Sequence, residues 1–244
     1  TDLLMSLAVA SQTGYTSLWT NIGSTSNKGV ELSIESQNII RPKFHWSTTL
    51  TMSHNDQMVD DIGSEDFISA YNSPGNNPYM MYGYVKGYPL NSLWGFKYGG
   101  TWKNAEERAE NKITKTYVSP SNSDGGPRYY DINHDGVMSK EDLIYQGNAD
   151  PYLYGGLQNT FYIYGLKVGV YFAYSLGGKI YNYSEIYMAG SQFSNQYRYM
   201  LDAWHPVRNP DSDIPRAGAK SDAALPSDFM IHDASYLRLK NVTL

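Results

Sequence analysis

The chain has 244 residues, with 19 Lys and Arg against 24 Asp and Glu for a formal net charge of −5. That balance carries no basic footprint for nucleic acid, and the absence of cysteine excludes disulfides and thiolate metal sites. With 23 Tyr, 22 Gly and 14% aromatic residues the composition favours β-structure, and no apolar run approaches the ~20 residues of a membrane helix.

Period-two patterning is the main structural signal. In 30–35, Val30, Leu32 and Ile34 alternate with Glu31, Ser33 and Glu35. In 44–53, Phe44, Trp46, Leu50 and Met52 alternate with His45, Ser47, Thr49, Thr51 and Ser53. The two segments, read as strands 30–38 and 43–54, are joined by a short turn containing Arg41-Pro42. Tyr88 to Trp102 is the next candidate for β-structure. Asn104 followed by Glu107 makes a capping-box start for a helix over 105–111. Turn formers fill 119–127. Strand 152–163 then meets 167–176 through a turn at Tyr164-Gly165-Leu166. In the second of these, Val168, Val170, Phe172, Tyr174 and Leu176 oppose Lys167, Gly169, Tyr171, Ala173 and Ser175. In 194–204, Tyr197, Met200, Leu201 and Trp204 fall at helical spacing before His205-Pro206, which predicts a short packing helix. Near the end, Leu237 and Leu239 alternate with Arg238 and Lys240. A start at Thr1 and a finish at Leu244 in mid-strand are read as the ends of a piece of a longer protein.

A soluble sandwich and a membrane barrel share this alternation, because either medium can receive the apolar face. Loop lengths separate them. Two turns are short, whereas 55–92, 103–150 and 177–233 are long, which is the arrangement of an outer-membrane barrel. With both short turns on the periplasmic side, any crossings between 55 and 151 must be even in number.

One loop carries ligand-like spacing. In Asp131-Ile132-Asn133-His134-Asp135-Gly136-Val137-Met138-Ser139-Lys140-Glu141-Asp142, oxygen donors stand at positions 1, 3, 5, 9 and 12 with glycine at 6. This predicts a structural Ca²⁺ site built from Asp131, Asn133, Asp135, the Val137 carbonyl, Ser139 and Asp142. Asp142 replaces the usual glutamate, so Glu141 competes for the closing position. An Asx-rich turn without metal has the same composition. No helix precedes the loop, which excludes a paired-helix calcium sensor.

Several short segments occur together and in order: Asn21-Ile22-Gly23 with Asn27-Lys28-Gly29-Val30-Glu31-Leu32; Tyr130 to Gly136; Ile144 to Pro151 followed by Gly155-Gly156-Leu157-Gln158-Asn159-Thr160; Gly177-Gly178-Lys179-Ile180-Tyr181-Asn182; and Ile231 to Leu244. In these the chain resembles the SusC/RagA family, the TonB-dependent outer-membrane transporters of Bacteroidetes. The resemblance implies an all-β fold, part of a large antiparallel transmembrane β-barrel with long extracellular loops and a few short loop helices. It makes residues 1–244 a C-terminal portion of that barrel, without plug, N-terminal extension or final strands, and 103–150 the loop that carries the calcium motif. It further implies outer-membrane lipid around the barrel, a SusD-like lipoprotein as lid, TonB acting through the missing N-terminal region, and import of oligosaccharides or peptides.

Transport requires no covalent chemistry, and the sequence holds no His-Glu-x-x-His, nucleophile elbow or phosphate loop. Tyr71, Asn72, Asn76, Asn77, Tyr79, Tyr82 and Tyr84 form an aromatic–amide cluster suited to stacking on sugars and bonding their hydroxyls. The competing account of these residues is packing among loops or at the membrane interface. The alternative to an importer is a secreted, soluble, calcium-stabilised β-domain that binds glycans. A surface adhesin is a third reading, and an enzyme the least supported.

Overall fold

A computed structural model describes residues 2–8, 12, 14, 17–63, 67–69, 82–110, 115–116, 123–185, 195–217 and 225–244. Its first three strands are β1 (Asp2–Ala8), β2 (Ser17–Arg41) and β3 (Phe44–Asp61). An excursion follows, holding β4 (Ile68–Ser69), β5 (Gly83–Tyr84), β6 (Ser92–Gly95), β7 (Tyr98–Thr101), helix α1 (Ala105–Glu110), β8 (Lys115–Thr116), β9 (Pro127–Tyr129), β10 (Val137–Met138) and β11 (Ile144–Asn148). The chain returns through β12 (Leu153–Ile163) and β13 (Leu166–Leu176). A second excursion holds β14 (Lys179–Tyr181) and β15 (Ile231–Asp233), and β16 (Tyr236–Thr243) ends the fold.

Six strands form one sheet in the order β1-β2-β3-β12-β13-β16, every pair antiparallel. Because β3 pairs directly with β12, none of the described strands of the first excursion enters the sheet. The number of crossings between them is therefore zero. Tyr88 to Trp102 does contain strands, as the sequence predicts, but they pair within the excursion: β6 with β11 and β7 with β9.

Register turns the alternation of single strands into two continuous faces. On one face, cross-strand neighbours form the rows Ile34-Leu50-Leu157-Phe172-Leu239 and Leu32-Met52-Gly155-Tyr174-Leu237. On the other run Glu35-Thr49-Gln158-Tyr171-Asn241 and Ser33-Thr51-Gly156-Ala173-Arg238. Among the bulges of the sheet, one beside Asn38 in β2 and one opposite Tyr171 and Phe172 keep these faces in phase. The second leaves Lys240 out of the register, so Asn241 takes the polar-face position that simple alternation assigned to Lys240.

A polar row crosses the apolar face between Ile34-Leu50 and the short turns, self-satisfied across three strands. Ser36 Oγ donates to Asn38 Oδ1 (2.9 Å), Asn38 Nδ2 to Thr48 Oγ1 (2.6 Å), and Thr48 Oγ1 to Asn159 Oδ1 (2.7 Å). The Trp46 indole donates to the same Asn159 oxygen at 3.0 Å.

The short turns lie side by side. Tyr164 (φ 50°) and Gly165 (φ 91°) both take positive φ, as a two-residue hairpin between right-twisted strands requires. The Tyr164 amide donates to the Lys43 carbonyl in the neighbouring turn at 3.0 Å.

At the opposite end, β2 and β3 outrun their neighbours. Ser53 pairs with Tyr154, and the residues of β3 beyond it have lost β12. That bare edge is covered by the excursion: Val59 N donates to Tyr88 O, Gly87 N to Val59 O and Leu90 N to Gln57 O, all within 3.0 Å.

Candidate functional site

The two excursions fold into each other. Phe96, Tyr129, Met138 and Leu225 form a buried cluster that joins both, with Tyr98 and Leu143 packed against it. Backbone bonds run between them, from Phe96 N to Pro226 O (2.9 Å) and from Arg216 N to Gly125 O (2.8 Å). Gly125, at φ 74°, lies where any Cβ would overlap the Trp204 ring, so glycine lets the second excursion close on the first.

Charged side chains seal the seam. Lys97 pairs with Asp228 at 2.5 Å, and the other Asp228 oxygen accepts from Tyr98 N at 2.8 Å. Lys103 Nζ reaches the Asp211 and Ser212 carbonyls and Asp213 Oδ1 at 2.7–3.0 Å. Tyr98 donates to the Asp213 carbonyl at 2.6 Å. Burial raises its phenol pKa well above the ordinary tyrosine value, and Tyr129 and Asp213 add to the shift. Burial raises Tyr181 in the same way.

Helix α1 begins as its sequence signals. Asn104 Oδ1 accepts from Glu107 N at 2.9 Å, and Glu107 Oε2 accepts from Lys103 N at 3.0 Å. The second expected helix is shorter: a 3₁₀ turn over Arg198–Asp202. Met200 is buried as its spacing demands, whereas Leu201 is 78% exposed because the tighter 3₁₀ winding turns it away from the packed side.

The 131–142 loop hangs from β9 and is closed by its own side chains. Asp131 accepts from His134 N and Gly136 N at 2.8 Å each, Asn133 from Asp135 N at 3.0 Å, and Asp135 from Val137 N at 2.7 Å. Left-handed backbone at His134 (φ 61°) and Gly136 (φ 78°) makes the turn tight enough for these bonds. Asp142 is fully buried. One of its oxygens accepts from Ile132 N (2.9 Å) and the other from Ser139 N (2.8 Å), so it clasps both ends of the loop. Ser139 Oγ caps the 3₁₀ turn Lys140–Asp142 through Glu141 N. On the outward side, Asn133 Nδ2 bridges Asp135 Oδ2 (3.1 Å) and Glu141 Oε2 (3.3 Å). Glu141, the alternative closing residue, is thus the acidic side chain beside the loop's exposed oxygens. Among the described residues, no group of three or more His, Asp or Glu is disposed as a metal shell.

Of the aromatic–amide cluster, Tyr71, Asn72, Asn76, Asn77 and Tyr79 lie outside the described residues. Tyr82 bridges Leu93, and Tyr84 in β5 pairs with Ile68; both are half-buried in the excursion's own packing.

The geometry so far is a two-faced slab of strands, short turns at one end and interlocked long loops at the other. No family model matches the chain. Over 250 residues it is 33% identical to the TonB-dependent receptor P26 of Formosa agariphila, covering 100% of this chain and 24% of that receptor. Its curated relatives are TonB-dependent receptors, matched along its whole length. The TonB-dependent receptor SusC of Bacteroides thetaiotaomicron is 27% identical over 251 residues, matching 100% of this chain and 22% of SusC. The structure of the RagAB peptide transporter superposes with a TM-score of 0.70 at 21% identity, covering 99% of this chain and 25% of the transporter chain. That likeness fixes the fold: the six-stranded sheet is a section of the wall of a large antiparallel β-barrel. The chain spans about a quarter of the length of its TonB-dependent relatives.

Sequence reasoning missed the seam between the loops. Lys97, Lys103, Asp213 and Asp228 are ordinary loop charges until the fold pairs positions more than a hundred residues apart, and no local signal marks them.

Proposed function

We propose that this chain is the wall and outer-loop portion of an outer-membrane importer. Such a protein takes up oligosaccharides or peptides, is capped by a SusD-like surface lipoprotein, and is driven through TonB by a region outside these residues. The observation that carries the reading is the wall itself. Its apolar rows are continuous across five strands and a polar face lies behind them, which suits lipid on one side and a wet lumen on the other. A secreted glycan-binding domain would expose those rows to water. The relatives are named receptors and transporters, which fits a protein that binds and moves its substrate unchanged.

Within this reading, Ca²⁺ occupies the 131–142 loop as a structural clamp. Asp131, Asn133, Asp135, Ser139, the Val137 carbonyl and the acidic pair Glu141/Asp142 supply hard oxygen donors of the kind calcium takes. The ion would stiffen the exposed side of a loop whose inner side Asp142 already holds. A rigid 103–150 region then presents one fixed surface at the outer mouth.

Fractionation of the full-length parent, expressed with its neighbouring lipoprotein gene, tests the transporter reading. Recovery of a detergent-soluble barrel with the lipoprotein bound is expected; a protein that never enters the membrane fraction contradicts it. For the metal, hydrogen exchange at 131–142 should slow on addition of Ca²⁺ and lose that response in Asp131→Ala. Exchange indifferent to Ca²⁺ would remove the clamp.

A further inference from the structure

The rim at the short-turn end takes no part in the loop assembly, yet it carries a charge pattern of its own. Cross-strand register makes Arg41, Phe44, Ile163 and Leu166 the last row of the apolar face. Arg41 thus stands in one line with three apolar side chains. Lys43 follows in the adjoining turn, with its ammonium 5.5 Å from the centre of the Tyr164 ring. The 3.0 Å bond from the Tyr164 amide to the Lys43 carbonyl holds the two turns together. Arg41, Lys43 and Tyr164 are all exposed, Tyr164 by 79%.

No acid balances these cations. Neither 36–55 nor 151–184 contains an Asp or Glu. Among the described residues, neither Arg41 nor Lys43 has a carboxylate partner. The other face of the same rim carries the row Ile40-His45-Tyr162-Lys167, in which the Lys167 ammonium lies 5.5 Å from the centre of the Tyr162 ring. Lys167 is therefore a rim cation held on the polar face.

We propose that Arg41 and Lys43, with Tyr164, bind the phosphate of an anionic glycerophospholipid in the leaflet beside the short turns. The inference rests on the importer reading, in which lipid meets the apolar face. Acyl chains then lie along Phe44, Ile163 and Leu166, and the headgroup reaches the level where that face ends. A planar guanidinium takes two phosphate oxygens at once, and the ammonium brings a second positive charge from the adjoining turn. Tyr164 adds a ring and a phenol at the boundary between hydrocarbon and water, where such side chains settle. The missing carboxylates set the headgroup class. A zwitterionic headgroup would bring its own ammonium against two cations with no acid to receive it. Phosphatidylglycerol brings only the negative charge and hydroxyls.

The test uses the full-length receptor in phosphatidylcholine vesicles doped with phosphatidylglycerol or phosphatidylethanolamine, each with a photoactivatable diazirine in the same acyl chain. Labelled peptides are located by mass spectrometry. Both lipids should label 39–44 and 163–168, phosphatidylglycerol roughly tenfold more strongly. Arg41→Gln combined with Lys43→Gln should remove that preference, Arg41→Lys should keep most of it, and Lys167→Gln should leave it intact. A heat-modifiable band on gels shows that each variant is an assembled barrel. Equal labelling by the two lipids, or a preference that survives the double substitution, overturns the site. A preference abolished by inorganic phosphate assigns the cations to a soluble anion and overturns the lipid, whereas loss in Lys167→Gln overturns the choice of face. Each of these results leaves the importer reading standing; absence of labelling at both turns by either lipid defeats that reading itself.

Discussion

The wall and the loop assembly are built on opposite principles, although one chain makes both. Every buried apolar side chain among the described residues lies at the long-loop end: Val59 and Ile62 at the tip of β3, and Leu93, Trp94, Phe96, Trp102, Tyr129, Met138, Met200, Ala203, Leu225 and Met230 in the excursions. Away from that tip, the described side chains of the wall include no buried apolar one. Its Leu32, Ile34, Leu237 and Leu239 are exposed, waiting for lipid rather than for each other. The loops are therefore a small globular body with its own core, and the wall is a surface completed by its surroundings. Stability of the first is set by packing in water, and stability of the second by strand pairing and the membrane.

Substitutions should separate the two regions. The largest effect is expected at Gly155, where a Cβ would overlap the Thr51 carbonyl of the neighbouring strand. Gly155→Val should block β3–β12 pairing and abolish barrel assembly, read as loss of the heat-modifiable band on gels. Phe96→Ala should cost about 3–5 kcal/mol by emptying the loop core. Barrel assembly should persist while hydrogen exchange and proteolysis accelerate in the excursions alone. If Phe96→Ala prevented assembly, the independence of the two bodies would be wrong.

How much of this was legible follows the same division. Strand alternation depends on near neighbours, so the faces of 30–35, 44–53 and 167–176 could be read directly, and so could the turn at Tyr164-Gly165. The helix start at Asn104 was likewise local. The loops resisted because their partners are remote. Tyr88 to Trp102 reads as β-structure, yet only pairing with 127–129 and 144–148 shows that it stays out of the wall. Leu201 looked like core because the spacing assumed an α-helix where the chain winds as 3₁₀. Arg41 could be put in the short turn from sequence, but its row with Phe44, Ile163 and Leu166 needed the register.

Smaller effects sharpen the comparison further. Lys103→Met removes the ammonium that collects carbonyls from 211–212 and the Asp213 carboxylate. A loss of about 1–3 kcal/mol in loop stability is expected, visible as faster exchange at the seam. Alkaline pH should act on the same body. The folded pKa of Tyr98 and Tyr181 is raised above the ordinary 10.0, so the unfolded state gives up these protons first. Their contribution is complete below about pH 10 and declines as pH climbs above it. Ultraviolet titration of tyrosinate should show late ionisation coupled to loop opening. The smallest effect belongs to the wall's polar row. Asn159→Val should cost about 1 kcal/mol in lipid, since Trp46 and Thr48 lose their shared acceptor.

The account rests most directly on which medium each face of the wall meets. The segment contains no cysteine, so single cysteines at 168 to 173 can be placed in a cysteine-free full-length receptor in native outer membranes. Each would be labelled with a lipid-dissolved and a water-soluble thiol reagent. Strict alternation is the expected result, with Val168, Val170 and Phe172 reached from lipid and Gly169, Tyr171 and Ala173 from water. Aqueous labelling at all six positions would contradict the membrane wall and everything built on it.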